Sequence, residues 1–304
     1  MSSSFMAYSI LIRRNEVEEQ QSTLYNLIRN WVNNLPQQTN YHDKILELEP
    51  SSVHYDQNNY EIYGFFWYGI YGNPGKLIKV STGEQIANIT EDDAPTHSYF
   101  FYFGKYVGNS MLFLLEKKSN FSFYTPVEKN LNDYVKNQNY KLDIVPIQSK
   151  KLLLEYLERG SLKSISIIKL HPDVPRNLLG ELEREDIELE TVIKAKKNKF
   201  FSRSIKQSFK DYLNGNGNQL GQFLGSYYNP EDSKLKVELK IGKKIRNVYI
   251  SPEATNIRSL FEIDTDVILY GPDNQPNLDA FLAEARSLKE ELINTYARID
   301  QERT

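Results

Sequence analysis

The spacing of apolar and polar residues changes several times along the chain, and each change predicts a different element. Residues 6–13 form a short apolar run that predicts a strand. Residues 16–35 repeat apolar side chains at helical spacing, and proline at position 36 ends that pattern. Four strand-like runs follow between residues 44 and 118: KILELE, YEIYGFFWYGIYG, KLIKVSTGEQIANI and SYFFYFGKYVGNSMLFLLEKK. Because turn residues separate the runs, they predict a meandering antiparallel sheet.

The run EIYGFFWYGIYG carries aromatic residues on both faces of its predicted strand. Phe66 and Tyr68 face one way, whereas Phe65 and Trp67 face the other. Two apolar faces are typical of a strand at the centre of a sheet that is covered on both sides. The alternative is that one face serves as a stacking platform or a subunit interface.

Residues 140–170 follow the order strand, helix, strand. The segments are YKLDIVPI, then KKLLLEYLER, which stops at Gly160, and then SLKSISIIKL. If the two strands pair, they should run parallel through a right-handed crossover.

The segment HPDVPRN contains two prolines and predicts a linker at 171–178. We therefore expect a β-rich domain over 1–170, with an antiparallel or mixed sheet and flanking helices. A smaller α+β domain over 179–304 should follow. It contains the hairpin KLKVELKIGKKIRNVYIS and ends in an amphipathic helix that begins at Asn277. In the first strand of the hairpin, alternation places Glu238 and Lys240 on a polar face, opposite the apolar residues Leu235, Val237, Leu239 and Ile241. The predicted fold class is α+β.

Composition and charge exclude several classes of chemistry. The 304 residues include no cysteine, which rules out disulfides, thiolate nucleophiles and cysteine-ligated metals. The four histidines are scattered without metal-binding spacing. The net charge of −3 gives no overall attraction to nucleic acid, so such a role needs a local patch. No apolar run is long enough for a signal peptide or a membrane helix. We expect a cytoplasmic protein with no membrane insertion and no cofactor.

The segment KNKFFSRSIKQSFKDYL, residues 197–213, carries five cations and a single acid. On a helix, Lys199, Arg203, Lys206 and Lys210 lie within roughly 60° of arc and form a basic stripe. Such a row can follow successive phosphates of a nucleic acid. No aromatic residue lies between the cations of the stripe, which favours contact with the backbone over stacking on bases.

An acidic run, ELEREDIELE at 181–190, immediately precedes the basic stripe. Surface helices often have a solvated basic face, and the acidic run could neutralise this one by folding beside it. A protein partner is the third interpretation of the stripe.

Two carboxylate and lysine sets fit an Mg²⁺-dependent nuclease, in which carboxylates hold the metal ion that activates water. One set is Asp232, Glu238 and Lys240, with Asp211 further upstream. The other set contains the tripeptide Glu116-Lys117-Lys118, with Asp92 and Asp93 before it. Mg²⁺ is a cofactor only under this alternative. A third alternative is a structural protein that oligomerises through its last helix.

Four segments between Ser98 and Lys169 are together similar to another group of proteins. They are SYFFYFGKYVGNSMLFLLEKK, TPVEKNLNDYV, YKLDIVPI and LLEYLERGSLKSISIIK. Their arrangement resembles uncharacterised bacterial proteins associated with phage-defence neighbourhoods. The resemblance implies a role in antiviral defence beside a partner effector, and it assigns no catalytic residues. The leading hypothesis is a non-enzymatic binding or accessory protein that engages nucleic acid or a protein partner through the basic stripe.

Overall fold

The computed structural model describes most of the chain and confirms the α+β class. The described residues are 3–35, 38–41, 44–72, 74–79, 81–118, 124–147, 150–169, 189–196, 199–214, 219–225, 228, 233–242, 244–250, 257–263, 267, 269–271 and 275–301.

Six α-helices, one short 3-10 helix (Pro50–Ser52) and sixteen strands are formed by the described residues. The helices are α1 (Gln21–Asn34), α2 (Tyr124–Asn137), α3 (Lys150–Arg159), α4 (Arg203–Leu213), α5 (Gln219–Leu224) and α6 (Leu278–Gln301). The strands of the first half are β1 (Ser3–Arg14), β2 (Val17–Glu18), β3 (Gln38–Tyr41), β4 (Lys44–Leu48), β5 (His54–Asp56), β6 (Glu61–Ile70), β7 (Gly75–Ile78), β8 (Gln85–Ile89), β9 (Thr96–Lys105), β10 (Met111–Lys118) and β11 (Lys141–Pro146). Those of the second half are β12 (Ser161–Lys169), β13 (Leu189–Lys194), β14 (Ser233–Ile241), β15 (Lys244–Ile250) and β16 (Ile257–Glu262).

The chain forms two compact units, each made from two separate parts of the sequence. The first unit contains Met1–Val145 and Thr265–Glu290, and the second contains Pro146–Asp264 and Glu291–Thr304. The sequence placed the division at 171–178, a segment outside the described residues. The structure assigns α3 and β12 to the second unit, because β12 pairs there with β13 and β14.

The first unit contains a sheet in the strand order β1-β10-β9-β6-β4-β3. These neighbours run antiparallel, as predicted for the strands between residues 44 and 118, and β1 and β3 extend the sheet at its two ends. Strands β2 and β11 also pair with β1, and β5 pairs with β6. Strands β7 and β8 form a separate two-stranded hairpin.

Both faces of β6 are covered, which confirms it as a central strand. On one face, the Phe66 ring packs against Trp31 of α1, with ring centroids 6.4 Å apart. On the other face, Phe65 packs edge-on against Phe281 of α6 at 5.7 Å. The aromatic residues of this strand therefore fill two layers of core.

The two strands that flank α3 do not pair with each other. Strand β11 pairs with β1, whereas β12 pairs antiparallel with β13 and β14. The condition for a parallel crossover is therefore not met, because each flanking strand pairs with other strands.

The second unit contains an antiparallel sheet in the order β13-β12-β14-β15-β16. In β14 the alternation predicted from the sequence is present, because Leu235, Val237 and Leu239 are buried while the residues between them are not. Helices of this unit also contribute buried apolar side chains: Leu152, Leu153, Tyr156 and Leu157 of α3, Phe209 and Leu213 of α4, and Leu220 and Leu224 of α5.

The apolar stripe of α6 is buried within the chain. Its residues Phe281, Leu282, Ala285, Leu288 and Leu292 are all buried. The sequence suggested oligomerisation through this last helix, and its apolar stripe is already covered within the chain. None of the described helices combines the length and apolar character that crossing a membrane requires.

Candidate nucleic-acid interface

Helix α4 carries three cations of the predicted basic stripe. The helix begins at Arg203, four residues after Lys199, the first cation of the stripe. Its N-cap is Ser202, whose backbone is extended. Just before it, the amide of Phe201 donates a hydrogen bond of 3.0 Å to the carbonyl of Leu162 in β12. Because that amide bonds to a strand, the chain at Phe201 is not helical. Lys199 therefore lies outside the helix, and the continuous four-cation helical row predicted from the sequence is not formed.

Two of the stripe cations bind the C-terminal end of α3. The Lys206 ammonium donates a hydrogen bond of 2.8 Å to the carbonyl of Gly160, and Lys210 forms an ion pair with Glu158. The negative end of the α3 dipole favours cations at this position. These two lysines consequently connect α4 to α3, in addition to contributing positive charge.

The α4 basic cluster, which we define as Arg203, Lys206 and Lys210, shares the carboxylate of Glu158. The hydrogen bond and the charge of Lys210 lower the pKa of Glu158, and the charges of Lys206 and Arg203 lower it further. Burial lowers the pKa of Lys206, and repulsion from Lys210 and Arg203 adds to that effect. One carboxylate among three cations leaves a local excess of positive charge that can attract an anion.

The partner that the sequence suggested for these cations was the acidic run at 181–190. Residues 181–188 of that run lie outside the described residues. Glu190 lies on β13 and is exposed. Among the described residues, Glu158 of α3 is the carboxylate that pairs with the cluster.

An exposed aromatic residue lies beside the start of α4, and the sequence pattern did not reveal it. Phe200 is 46% exposed, between the exposed residues Lys199 and Arg203. The next residue, Phe201, packs edge-on against Phe223 of α5 with ring centroids 6.0 Å apart. The helical projection treated this segment as part of α4, and the extended backbone instead leaves Phe200 open to solvent. Large exposed aromatic rings next to cations are typical of surfaces on which nucleic-acid bases stack.

The first nuclease set is only partly described. Glu238 and Lys240 lie on the polar face of β14, as predicted, and Asp232 lies outside the described residues. The Glu238 carboxylate is 3.3 Å from the Lys163 ammonium and accepts a hydrogen bond of 3.3 Å from Ser164. Lys240 is exposed. The carboxylate of Glu238 is therefore held by its neighbours in β12.

The more distant carboxylate of that set, Asp211, lies on α4. It accepts a hydrogen bond of 2.9 Å from the side chain of Gln207. Within the described part of the chain, no three His, Asp or Glu side chains lie close enough together to hold a metal ion.

The second nuclease set is built into the first unit. Glu116 is buried and accepts hydrogen bonds from the Ser3 hydroxyl at 2.8 Å, the Tyr270 hydroxyl at 2.8 Å and the Phe100 amide at 3.0 Å. The Lys118 ammonium donates to the carbonyl of Ser98. Both carboxylate oxygens of Glu116 are thus occupied by donors of the protein itself, as expected of a buried structural carboxylate.

One of the two upstream carboxylates of this set, Asp93, has a role in a turn. Asp93 accepts hydrogen bonds from the amide and the hydroxyl of Thr90, at 2.7 and 2.9 Å. Asp92 is exposed. Through these two hydrogen bonds, Asp93 closes the turn after β8.

The polar face of β14 provides a second positive surface. Lys234, Lys236 and Lys240 alternate with buried apolar residues along the strand. The Lys236 ammonium lies 5.8 Å from the ring centroid of Tyr249 on β15. The strand register pairs Tyr249 directly with Lys236.

Compared with known protein families and with curated proteins, the sequence matches none.

Proposed function

We propose that this protein is a binding or accessory protein that holds single-stranded nucleic acid at the start of α4. The observation that supports the proposal best is the exposed Phe200 ring between two exposed cations, Lys199 and Arg203. Phosphates would contact the cations, and a base would stack on the ring.

The rest of the α4 basic cluster has a supporting role in this proposal. Lys206 and Lys210 are held by the end of α3, so they fix the helix and add to the local positive potential. Arg203 and Lys199 have no such contact among the described residues and remain available to a ligand. The proposed interface therefore consists of Lys199, Arg203 and Phe200, in place of the four cations of the predicted stripe.

Binding to a labelled single-stranded oligonucleotide and to the matching duplex, measured across a range of salt concentrations, tests the proposal. The double variant Lys199→Gln/Arg203→Gln should bind more weakly and should lower the salt slope by about 1.4, or about 0.7 for each lost phosphate contact. Phe200→Ala should weaken single-strand binding about tenfold and leave the salt slope unchanged. Binding to the duplex should respond little to Phe200→Ala.

Two control variants distinguish this interface from other positive surfaces. Lys105→Gln/Lys136→Gln removes two exposed cations of the first unit, and Lys234→Gln/Lys240→Gln removes two from the face of β14. Both should bind as the wild type does. Unchanged affinity in Lys199→Gln/Arg203→Gln, or a loss confined to the β14 variant, would contradict the proposal.

The same oligonucleotide assay also tests the nuclease alternative. Added Mg²⁺ should leave the oligonucleotide intact if the protein only binds, whereas cleavage that Glu238→Gln abolishes would favour the nuclease. The resemblance to proteins of phage-defence neighbourhoods supports antiviral defence as the setting for this activity. Phage plating on cells that carry the wild type or Lys199→Gln/Arg203→Gln checks that setting, with protection expected only from the wild type.

A further inference from the structure

Strand β13 lies at one edge of the sheet of the second unit. Its inner side pairs with β12, and no strand of the described residues pairs with its outer side. An edge strand exposes a row of backbone amides and carbonyls to which a further strand can bond. Leu189 and Val192, which are 47% and 43% exposed, add apolar surface at this edge.

The ladder with β12 decides which backbone groups of β13 point outward. The amide of Ala195, which directly follows β13, donates a hydrogen bond of 3.1 Å to the carbonyl of Lys163 in β12. In an antiparallel ladder the amide and the carbonyl of one residue point to the same side, and that side alternates from residue to residue. Alternation from Ala195 therefore directs the backbone groups of Lys194, Val192 and Glu190 away from β12.

The side chains of these three residues share one face of the sheet, and all three are exposed. Val192 lies in the middle, with the acid Glu190 two residues before it and the base Lys194 two residues after it. The residues that pair with them in β12 are uncharged: Ile168, Ser166 and Ser164. The edge of this face thus carries an acid, an apolar residue and a base at equal spacing, with no charge of β12 directly across from them.

This order is complementary to itself about a two-fold axis through Val192. Two copies of β13 placed side by side and antiparallel bring Glu190 of each copy opposite Lys194 of the other, and Val192 opposite Val192. Because the backbone groups of these residues point outward, each can exchange hydrogen bonds with the residue opposite, as in an ordinary antiparallel ladder. Opposite charges placed directly across two strands stabilise their pairing.

The other face of β13 fits the same axis. Its residues meet across the axis in uncharged pairs: Leu189 with Ala195, and Thr191 with Ile193. Moving the axis by one residue in either direction would place Val192 opposite a charged side chain and would separate both pairs of opposite charge. The register centred on Val192 therefore satisfies the backbone, the charges and the apolar residues together.

We propose that β13 pairs with β13 of a second copy of this chain and makes the protein a homodimer joined edge to edge. The contact is isologous, and the addition of a strand to a sheet edge is a common mode of recognition. Each copy contributes a strand of six residues, which is fewer than in a standard interface, so we expect a dissociation constant on the order of 10 µM. The interface is independent of the nucleic-acid proposal, because it uses neither α4 nor the residues from Lys199 to Ser202.

Thiol cross-linking tests the register directly, because the natural chain contains no cysteine. In Val192→Cys, the two thiols meet at the axis, where the Cα atoms should be about 5.5 Å apart, and a short bifunctional thiol reagent should link two chains. The two copies of Glu190→Cys should be about 14 Å apart and should stay unlinked. A mixture of Glu190→Cys and Lys194→Cys should link again. Lys240→Cys, exposed on the inner strand β14, is the control and should remain unlinked.

Charge exchange tests the pairing by sedimentation equilibrium of the full-length protein at concentrations up to about 1 mM. Glu190→Lys and Lys194→Glu should each weaken the dimer about tenfold, because each turns two attractions into two repulsions. Mixing the two variants should restore dimers, since the carboxylates of one variant then meet the ammonium groups of the other. Lys240→Glu is the control and should dimerise as the wild type does. Circular dichroism should show all of these variants folded, because the substituted side chains are exposed.

A wild type that stays monomeric over the whole concentration range would overturn the proposal. The same holds if Glu190→Cys links as readily as Val192→Cys, or if the mixture of Glu190→Lys and Lys194→Glu does not recover. The variant Lys199→Gln/Arg203→Gln should dimerise normally, so that failure of this proposal and failure of the nucleic-acid proposal are separate results.

Discussion

At the scale of single residues, Glu61 is a buried carboxylate that three side chains of the first unit contact. It lies at the start of β6 and is 1% exposed. Its carboxylate accepts hydrogen bonds from Arg286 at 2.7 and 2.9 Å, from Lys289 at 2.6 Å and from the Tyr102 hydroxyl at 2.6 Å. These cationic and hydroxyl donors offset the cost of burying a charged carboxylate.

We predict that Glu61→Gln destabilises the protein. The neutral side chain leaves the half-buried ammonium of Lys289 and the guanidinium of Arg286 without their counter-charge, and the loss should be about 3 kcal/mol in the free energy of unfolding. Urea denaturation measures this change. Glu47→Gln on β4, where the side chain is exposed, is the control and should change stability by less than about 0.5 kcal/mol.

The contribution of Glu61 to stability depends on pH, and its pKa gives the direction of that dependence. Burial raises the pKa of Glu61, but hydrogen bonds from Arg286, Lys289 and Tyr102 outweigh it and leave the pKa below its ordinary value of 4.5. Its contribution to stability is therefore present above pH 4.5 and is lost as the pH falls through the folded-state pKa. In Glu61→Gln, the wild type's loss of stability on acidification should become smaller.

Glu116, in the same unit, should make stability depend on pH in the opposite direction. Burial raises the pKa of its carboxyl above the ordinary value, despite the nearby charge of Lys118. The folded state then binds the proton more tightly than the unfolded state, so stability falls as the pH rises from 4.5 through the folded-state pKa. Glu116→Gln should therefore remove the part of the stability loss that occurs as the pH rises above 4.5. If Glu116→Gln and Glu61→Gln changed the pH dependence of stability in the same direction, this assignment would be contradicted.

At the scale of elements, the end of α3 is fixed by a close approach of backbones. A Cβ atom added at Gly160 would lie 2.6 Å from the carbonyl oxygen of Tyr156 and 3.2 Å from that of Lys240 in β14. Neither atom belongs to a flexible side chain, so relief requires the backbone at the end of α3 to shift, both against its own last turn and against β14. The glycine at this position is thus required by packing as well as by the end of the helix.

We predict that Gly160→Ala destabilises the protein by about 1–3 kcal/mol, because it overpacks this junction. Gly221→Ala on α5 is the matched control, since nothing lies within 4 Å of its added Cβ. In a helix that change should stabilise by about 0.5–1 kcal/mol. Urea denaturation of the two variants should give shifts of opposite sign, and equal shifts would contradict the role of the close approach.

The sequence pattern predicted some features of the helices and strands and missed others. Alternation correctly indicated the buried face of β14 and the central position of β6, because both depend on residues within one strand. The start of α4 was missed because it depends on a carbonyl of β12, which takes the amide of Phe201. The exposed Phe200 was missed for the same reason, since its exposure follows from that extended backbone.

At the scale of the whole molecule, the first unit is completed by a segment from the end of the sequence. Residues Thr265–Glu290 belong to it, and Phe281 and Tyr270 from this segment contact its sheet. A domain cut from the predicted boundary, residues 1–170, would therefore lack part of its own core.

We predict that residues 1–170 alone do not form the native first unit. Phe65 and Phe100 lose the ring of Phe281, and Glu61 loses Arg286 and Lys289. Near-UV circular dichroism should show weak tertiary signal compared with the full chain, and the fragment should aggregate as it exposes these aromatic residues. A cooperative unfolding transition equal to that of the full chain would contradict this prediction.

The sequence by itself determined the features that depend on neighbouring residues. These are the α+β class, the strand and helix periods, the absence of cysteine chemistry and the concentration of cations between 197 and 213. Only the tertiary structure decided which distant residues meet. Glu61 and Arg286 are 225 residues apart, and Lys210 and Glu158 are 52 apart. Periodicity records the environment that a side chain needs, whereas strand pairing and helix packing decide which partner provides it.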